Sequence, residues 1–192
     1  VQDAGQYPGR KRVVSQNMIC LIKPPSVECF RFAGSTIMPP LGLAYIAGAL
    51  QAAGHQVTVI DSVTSSPETM TRYYKGYLIG LPLAEVAARI PPETAIVGIT
   101  VVFTHEWPEI VHLIELIKQR RPELTVIIGG EHATAMAEFC LSTSKADIVV
   151  LGEGEETIIE LVDALGTGRS LAEIDGLAFH DRDHERIIVN KR

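Results

Sequence analysis

Cysteine is scarce in this 192-residue chain, and Cys20, Cys29 and Cys140 form no C-x-x-C pair. A scattered, odd-numbered trio supports neither a disulfide framework nor a zinc site, and it fits a reducing cytosol. Long apolar runs are also missing. No segment approaches the ~20 residues that cross a bilayer as a helix, and the opening VQDAGQYPGRKR lacks the apolar stretch of a signal peptide. These absences predict a soluble, cytoplasmic protein with no membrane span. Positive charge is in deficit, with 17 Lys and Arg against 23 Asp and Glu and a formal net charge of -6. Beyond Arg10-Lys11-Arg12 and Arg120-Arg121 there is no basic stripe, which argues against a nucleic-acid partner. The dinucleotide fingerprint G-x-G-x-x-G does not follow the first apolar strand, and a P-loop is absent. Receiver-type phosphotransfer has no carrier either. The first strand ends Lys23-Pro24-Pro25 and the third ends Thr100-Val101-Val102, where acidic groups would be required.

What is present is an apolar chain, 46% hydrophobic and 21% charged, in which short β-rich runs alternate with segments of helical period. That alternation predicts βαβ units and a parallel sheet covered on both faces. Residues 1–16 read as a flexible lead. Strands are predicted over residues 18–23, 55–61, 96–102, 125–128 and 148–151, and helices over residues 41–53, 83–90, 108–121, 133–141 and 155–165. Residues 62–82, with Ser, Pro, Tyr and Gly mixed together, predict a loop containing a short helix. The tail, LAFHDRDHERIIV, predicts two short strands about a polar turn at residues 181–185, forming a hairpin that leaves the sheet. The fold class is therefore α/β: a Rossmann-like, flavodoxin-like doubly wound sheet of five parallel strands in the order 2-1-3-4-5, with a C-terminal hairpin.

Ligands of such sheets lie outside the carboxyl ends of the strands, which directs attention to residues 24–40, 101–107, 129–134 and 152–156. The first of these loops is much longer than the two to six residues usual for a βα connection. In VIIGGEHATA, Gly129-Gly130 ends an apolar strand and is followed at once by Glu131, His132 and Thr134. Either these glycines make a tight turn, or they leave the backbone bare for something large. In LGEGEET the acids Glu155 and Glu156 are natural in a first helical turn, whereas Glu153, between Gly152 and Gly154, is harder to explain as capping. Its carboxylate can accept from a ligand amide or hydroxyl, while phosphate beside so many acids would be repelled. Among the histidines, His180 and His184 have the i, i+4 spacing of a metal pair but flank a turn where solvated side chains are expected. His112 and His55 read as structural. His105 and His132 fall on ligand-side loops.

Taken together, MPPLGLAYIAGALQAAGHQVTVID, IVGITVVFTHEWPEIVHLIELIKQRRPELTVIIGGEHATA, ADIVVLGEGEETIIELVDAL and IDGLAF resemble the amino-terminal cobalamin-binding domain of cobalamin-dependent radical SAM enzymes. The group most resembled contains the anaerobic magnesium-protoporphyrin cyclase and carbon and phosphorus methyltransferases. The resemblance implies a cobalamin-binding domain over residues 17–170, with residues 171–192 leading toward a radical SAM barrel of the same full-length chain. It implies a corrin ring laid across the carboxyl edge of the sheet and a nucleotide tail entering beside Gly129 and Gly130. By position, the implied cofactor contacts are Leu41, Gly42, Tyr45, Thr100, Phe103, Thr104, Gly129, Gly130, Glu131, His132, Thr134, Gly152, Glu153 and Gly154. Two departures stand out. The D-x-H-x-x-G loop that supplies a lower cobalt ligand in other cobalamin domains has no counterpart, since residues 24–40 contain neither Asp nor His, and His105 is only a remote candidate. The C-x-x-x-C-x-x-C motif of the barrel is absent, so S-adenosylmethionine and a [4Fe-4S] cluster are expected only in a missing region, and the chain alone is expected not to turn over. Two alternatives remain open: the nucleotide-sugar-binding half of a glycosyltransferase, and a regulatory or scaffolding α/β domain with no cofactor.

Overall fold

Residues 18–28, 39–74, 76–181, 184 and 186–192 are described by a computed structural model. The residue alternation of the first strand explains its place in the sheet. In β1 (Met18–Lys23) Ile19 and Leu21 join one apolar cluster while Cys20 and Ile22 join another, all of them buried. A strand dry on both faces belongs in the middle of a sheet with helices on either side. Around it lie β3 (Gln56–Asp61), β6 (Thr94–Thr100), β7 (Thr125–Gly129) and β8 (Ile148–Val150), paired parallel in the order β3-β1-β6-β7-β8. This is the expected 2-1-3-4-5 order, with its reversal between β1 and β6.

Helices cover both faces. On one face α1 (Leu41–Ala52) and α7 (Glu155–Thr167) contribute Leu43, Leu50, Ile158 and Leu161 to the cluster containing Leu21. On the other, α3 (Leu83–Ala88), α4 (Trp107–Arg120) and α6 (Ala137–Thr143) bury Val86, Trp107, Ile114 and Leu141. Burying an aliphatic side chain of this size is worth about 1.5–3 kcal/mol. In α4, Pro108 stands in the first turn, where its missing N–H costs nothing, and Lys118 and Arg120 stand in the last, where they face the negative end of the helix dipole. Lys118 also bridges Asp147 at 2.5 Å, and the same Asp147 carboxylate accepts from the Val126 N–H at 2.8 Å. That bridge fixes the start of β7 against the loop before β8.

Three local expectations are corrected. Residues 62–82 hold a four-residue helix, α2 (Ser62–Ser65), but also β4 (Met70–Tyr73) and β5 (Gly76–Ile79), which form an antiparallel three-stranded sheet with β2 (Ser26–Glu28) in the order β2-β5-β4. The single helix expected over residues 133–141 is two, α5 (Glu131–Ala135) and α6, separated at Met136, whose φ of -129° and ψ of 36° leave the helical region. The tail hairpin does not leave the sheet. β9 (Leu177–Asp181) pairs antiparallel with β8, and β10 (Arg186–Val189) pairs antiparallel with β9, giving seven strands in all. Leu177, Ala178 and Phe179 are buried, and that burial draws the hairpin onto β8. Of the two turn histidines, His184 is 56% exposed, as the solvated reading expects, with its Nδ1 2.8 Å from Oδ2 of the buried Asp181, while His180 is half-buried with its Nε2 3.1 Å from the Leu141 carbonyl oxygen. The lead expected over residues 1–16, and residues 29–38 of the long loop, lie outside the described residues. No helix among the described residues is long and apolar enough to cross a membrane.

Candidate functional site

The carboxyl ends of β1, β6, β7 and β8 converge on a cleft between α1 and α7. Its floor is apolar, made by Leu21, Ile99, Ile127, Ile128 and Val150, and its sides are Leu43 and Ile46 of α1 and Ile158 of α7. Polar groups enter only at the edge, from Thr100, Glu153 and Glu155. The empty space, including its open mouth, is about 690 Å³, within the range of small-molecule sites. Of the fourteen residues anticipated from sequence, Gly42, Thr100, Gly129, Gly130, Gly152, Glu153 and Gly154 line it.

Glycine makes this room, though not always for the same reason. A Cβ on Gly42 would meet nothing within 4 Å, and one on Gly129 would make only ordinary contact with the Val150 oxygen at 3.5 Å, so side chains here would occupy cleft space instead of colliding with protein. Gly130 differs. Its φ is +112°, and an added Cβ would sit 2.7 Å from the Val101 carbonyl oxygen, so its backbone conformation and its neighbour both demand glycine. That close approach is one part of a clamp: the Val101 N–H donates to the Gly129 oxygen at 2.7 Å, and the His132 N–H donates to the Val101 oxygen at 3.1 Å. Gly98, deep in β6, also lines the cleft, and a Cβ there would press within 2.7 Å of Leu21 Cδ2.

The other seven anticipated residues stand off the wall. Leu41 and Tyr45, one turn apart at the start of α1, and Phe103, on the loop after β6, are 67%, 66% and 53% exposed. Glu131 is exposed, at the start of α5. Thr134 works between loops, its Oγ1 accepting from the Gly152 N–H at 2.9 Å. His132 turns inward: it is 4% exposed, its ring lies 5.6 Å from that of Trp107, and its Nδ1 is 3.1 Å from Thr104 Oγ1. Its Nε2 is buried without a partner among the described residues, and burial holds its pKa below the ordinary imidazole value. The neutral ring braces the loop that carries Phe103 and Thr104.

His105 is similarly engaged. Its ring stacks on Phe103 at 5.5 Å and its Nε2 lies 3.2 Å from the Val27 carbonyl oxygen. Beside it Glu106 accepts from Ser26 Oγ at 3.2 Å, and burial raises its pKa against the opposing pull of that bond. These contacts tie β2 to the turn at residues 104–106. No group of three or more His, Cys, Asp or Glu side chains able to hold a metal occurs among the described residues. Sequence reasoning missed Gly98, the apolar floor, and Leu43, Ile46 and Ile158 on the sides. The available signal was a glycine interrupting the apolar run IVGIT, which in a strand marks a close approach.

Residues 33–162 match the family described as the B12 binding domain. The chain is 31% identical over 187 residues to cytidylyl-2-hydroxyethylphosphonate methyltransferase of Streptomyces wedmorensis, covering 94% of this chain and 34% of the relative. It is 30% identical over 171 residues to anaerobic magnesium-protoporphyrin IX monomethyl ester cyclase of Synechocystis, covering 88% of this chain and 32% of that protein. It thus spans about a third of the length of these relatives. Among solved structures, the radical S-adenosylmethionine methyltransferase TsrM of Kitasatospora setae, with cobalamin and a [4Fe-4S] cluster bound, superposes with a TM-score of 0.68 at 22% identity, over 92% of this chain and 29% of TsrM. The fold is shared, the family match covers most of the sheet and the cleft, and the chain belongs to the B12-binding domain family.

Proposed function

We propose that this chain holds cobalamin at the carboxyl edge of its sheet, as the cofactor-carrying part of a cytoplasmic radical SAM enzyme whose barrel lies in a region beyond these residues. The observation that carries the reading is the glycine-walled cleft between α1 and α7. The residues fit the group. Gly42 and Gly129 leave unfilled the space their side chains would take, the floor is apolar enough for an aromatic base, and Leu41, Tyr45 and Phe103 offer an exposed apolar rim to a flat macrocycle. When bound, cobalamin would supply a cobalt centre for methyl transfer or related radical chemistry.

The chain's own residues have narrower tasks. The clamp joining Val101, Gly129 and His132 sets the height of two loops on the rim. Thr100 and Glu153 line the cleft edge, which supports a role for the Thr100 hydroxyl as donor or acceptor and for the Glu153 carboxylate as acceptor toward the tail's hydroxyl and amide groups. Residues 24–40 contain no D-x-H-x-x-G histidine that would hold the cobalt, and the His105 Nε2 already lies 3.2 Å from the Val27 carbonyl oxygen. S-adenosylmethionine, an iron-sulfur cluster and the methyl acceptor belong to the proposed barrel.

Titration with hydroxocobalamin followed by gel filtration tests this. A red chromophore is expected to co-elute with the chain, with a spectrum free of the signature of histidine nitrogen on cobalt. A colourless protein peak overturns the reading in favour of a nucleotide-sugar or cofactor-free domain.

A further inference from the structure

The cleft carries a charge conflict. Its polar edge is acidic, with Glu153 and Glu155 on the lining and Glu156 beside them in the first turn of α7, yet the nucleotide tail of cobalamin contains a phosphodiester anion. An anion among three carboxylates is disfavoured unless a cation stands with it.

One does. The last residues of the chain run back from β10 to the rim and are held there by several hydrogen bonds. The Asn190 N–H donates to the Leu177 oxygen at 2.8 Å, its Nδ2 donates to the oxygens of Leu171 at 2.8 Å and Ile174 at 2.6 Å, and the Lys191 oxygen accepts from the Gly176 N–H at 2.5 Å. Gly176 in turn accepts from the Leu151 N–H at 2.8 Å, which ties this arm to the end of β8. Arg192 is thereby laid over Gly152, a lining residue of the cleft. A Cβ on Gly152 would fall 2.7 Å from Arg192 Cζ and 2.8 Å from its Nε, so the bare backbone makes room for the guanidinium as well as for the turn. The Arg192 side chain is exposed and makes no ion pair among the described residues.

The geometry points to Arg192 as the side chain that takes the phosphodiester of cobalamin's nucleotide tail at the mouth of the cleft. A guanidinium offers planar, paired donors suited to phosphate oxygens, and its charge offsets the carboxylates that would otherwise expel the tail. This inference rests on the cobalamin reading and adds to it the residue that decides between a corrinoid with its nucleotide and one without.

The experiment compares the dissociation constants of hydroxocobalamin and dicyanocobinamide, which keeps the corrin but lacks the nucleotide and its phosphodiester, for the wild-type chain, Arg192→Gln and Arg192→Lys. Arg192→Gln is expected to lose about tenfold or more for hydroxocobalamin, the usual worth of a charge-assisted hydrogen bond, with no change for dicyanocobinamide. Arg192→Lys should recover part of that loss, and raising the salt should weaken hydroxocobalamin binding to the wild type but not to Arg192→Gln. Equal hydroxocobalamin affinity in wild type and Arg192→Gln, or an equal loss for both corrinoids, overturns the inference while leaving the cofactor assignment intact. Failure of the wild type to bind either corrinoid overturns the cofactor assignment itself, and the inference with it.

Discussion

Gly129 and Gly130 are adjacent and chemically identical, yet their missing side chains serve different ends, and substitution separates them. Gly129→Val is expected to fold with near wild-type stability, because its Cβ meets only ordinary contacts, and to lose the chromophore in gel filtration because it fills the cleft. Gly130→Ala is expected to lower stability by about 1–3 kcal/mol in denaturant unfolding, since a φ of +112° and the Val101 oxygen both oppose it. Equal stability in the two variants would contradict this division. His132 yields a pH prediction. Burial holds its folded pKa below the ordinary 6.5, so the unfolded chain takes up the proton first, and stability present above that value is lost as pH falls through the folded pKa. Glu106, raised by burial above its ordinary 4.5, acts oppositely: its contribution is present at low pH and fades as pH rises through its folded pKa. Because Glu106 is common to both chains, the drop in melting temperature between pH 7.5 and pH 5.5 is expected to be smaller in His132→Asn than in the wild type. An identical drop would remove His132 as the cause. At this scale the loop glycines were legible because chain order puts them at strand ends. Gly98 was not, because its reason is Leu21, a partner distant in sequence that only the parallel pairing of β1 with β6 brings near.

Elements were readable where burial imposed a period. β1, β6 and β7 are dry on both faces, and such runs announce themselves as unbroken apolar stretches. β4 does not, since three of its four residues are exposed and MTRY shows neither alternation nor an apolar run. β2 has three residues and depends on β5 for its identity. The hairpin was recognised as a hairpin, but its docking was not, because a strand's partner is set by the edge available to it, and short strands such as β8 leave little trace of which edge that is. A stability test belongs here. A chain truncated after Gly176 loses Leu177, Ala178 and Phe179 from both apolar clusters and exposes the length of β8. It is expected to aggregate or to stay unfolded by circular dichroism. A monomeric, cooperatively melting truncate would show the hairpin to be an accessory.

For the whole molecule, the doubly wound order followed from β-α alternation and the right-handed crossover rule, and the ligand edge followed from the order. The depth of the cleft did not follow, because it depends on how far α1 and α7 stand apart. Its walls come from segments as separated in sequence as Leu21 and Ile158, and parallel pairings between remote strands form late and slowly. The binding surface is therefore complete only when these distant segments stand together in the folded chain. A ligand that recognises this surface acts on the finished structure alone, shifting the balance from unfolded to native by mass action. Uptake of the pigment would then mark the last stage of maturation, and a vitamin-starved cell would hold this chain in its least durable form.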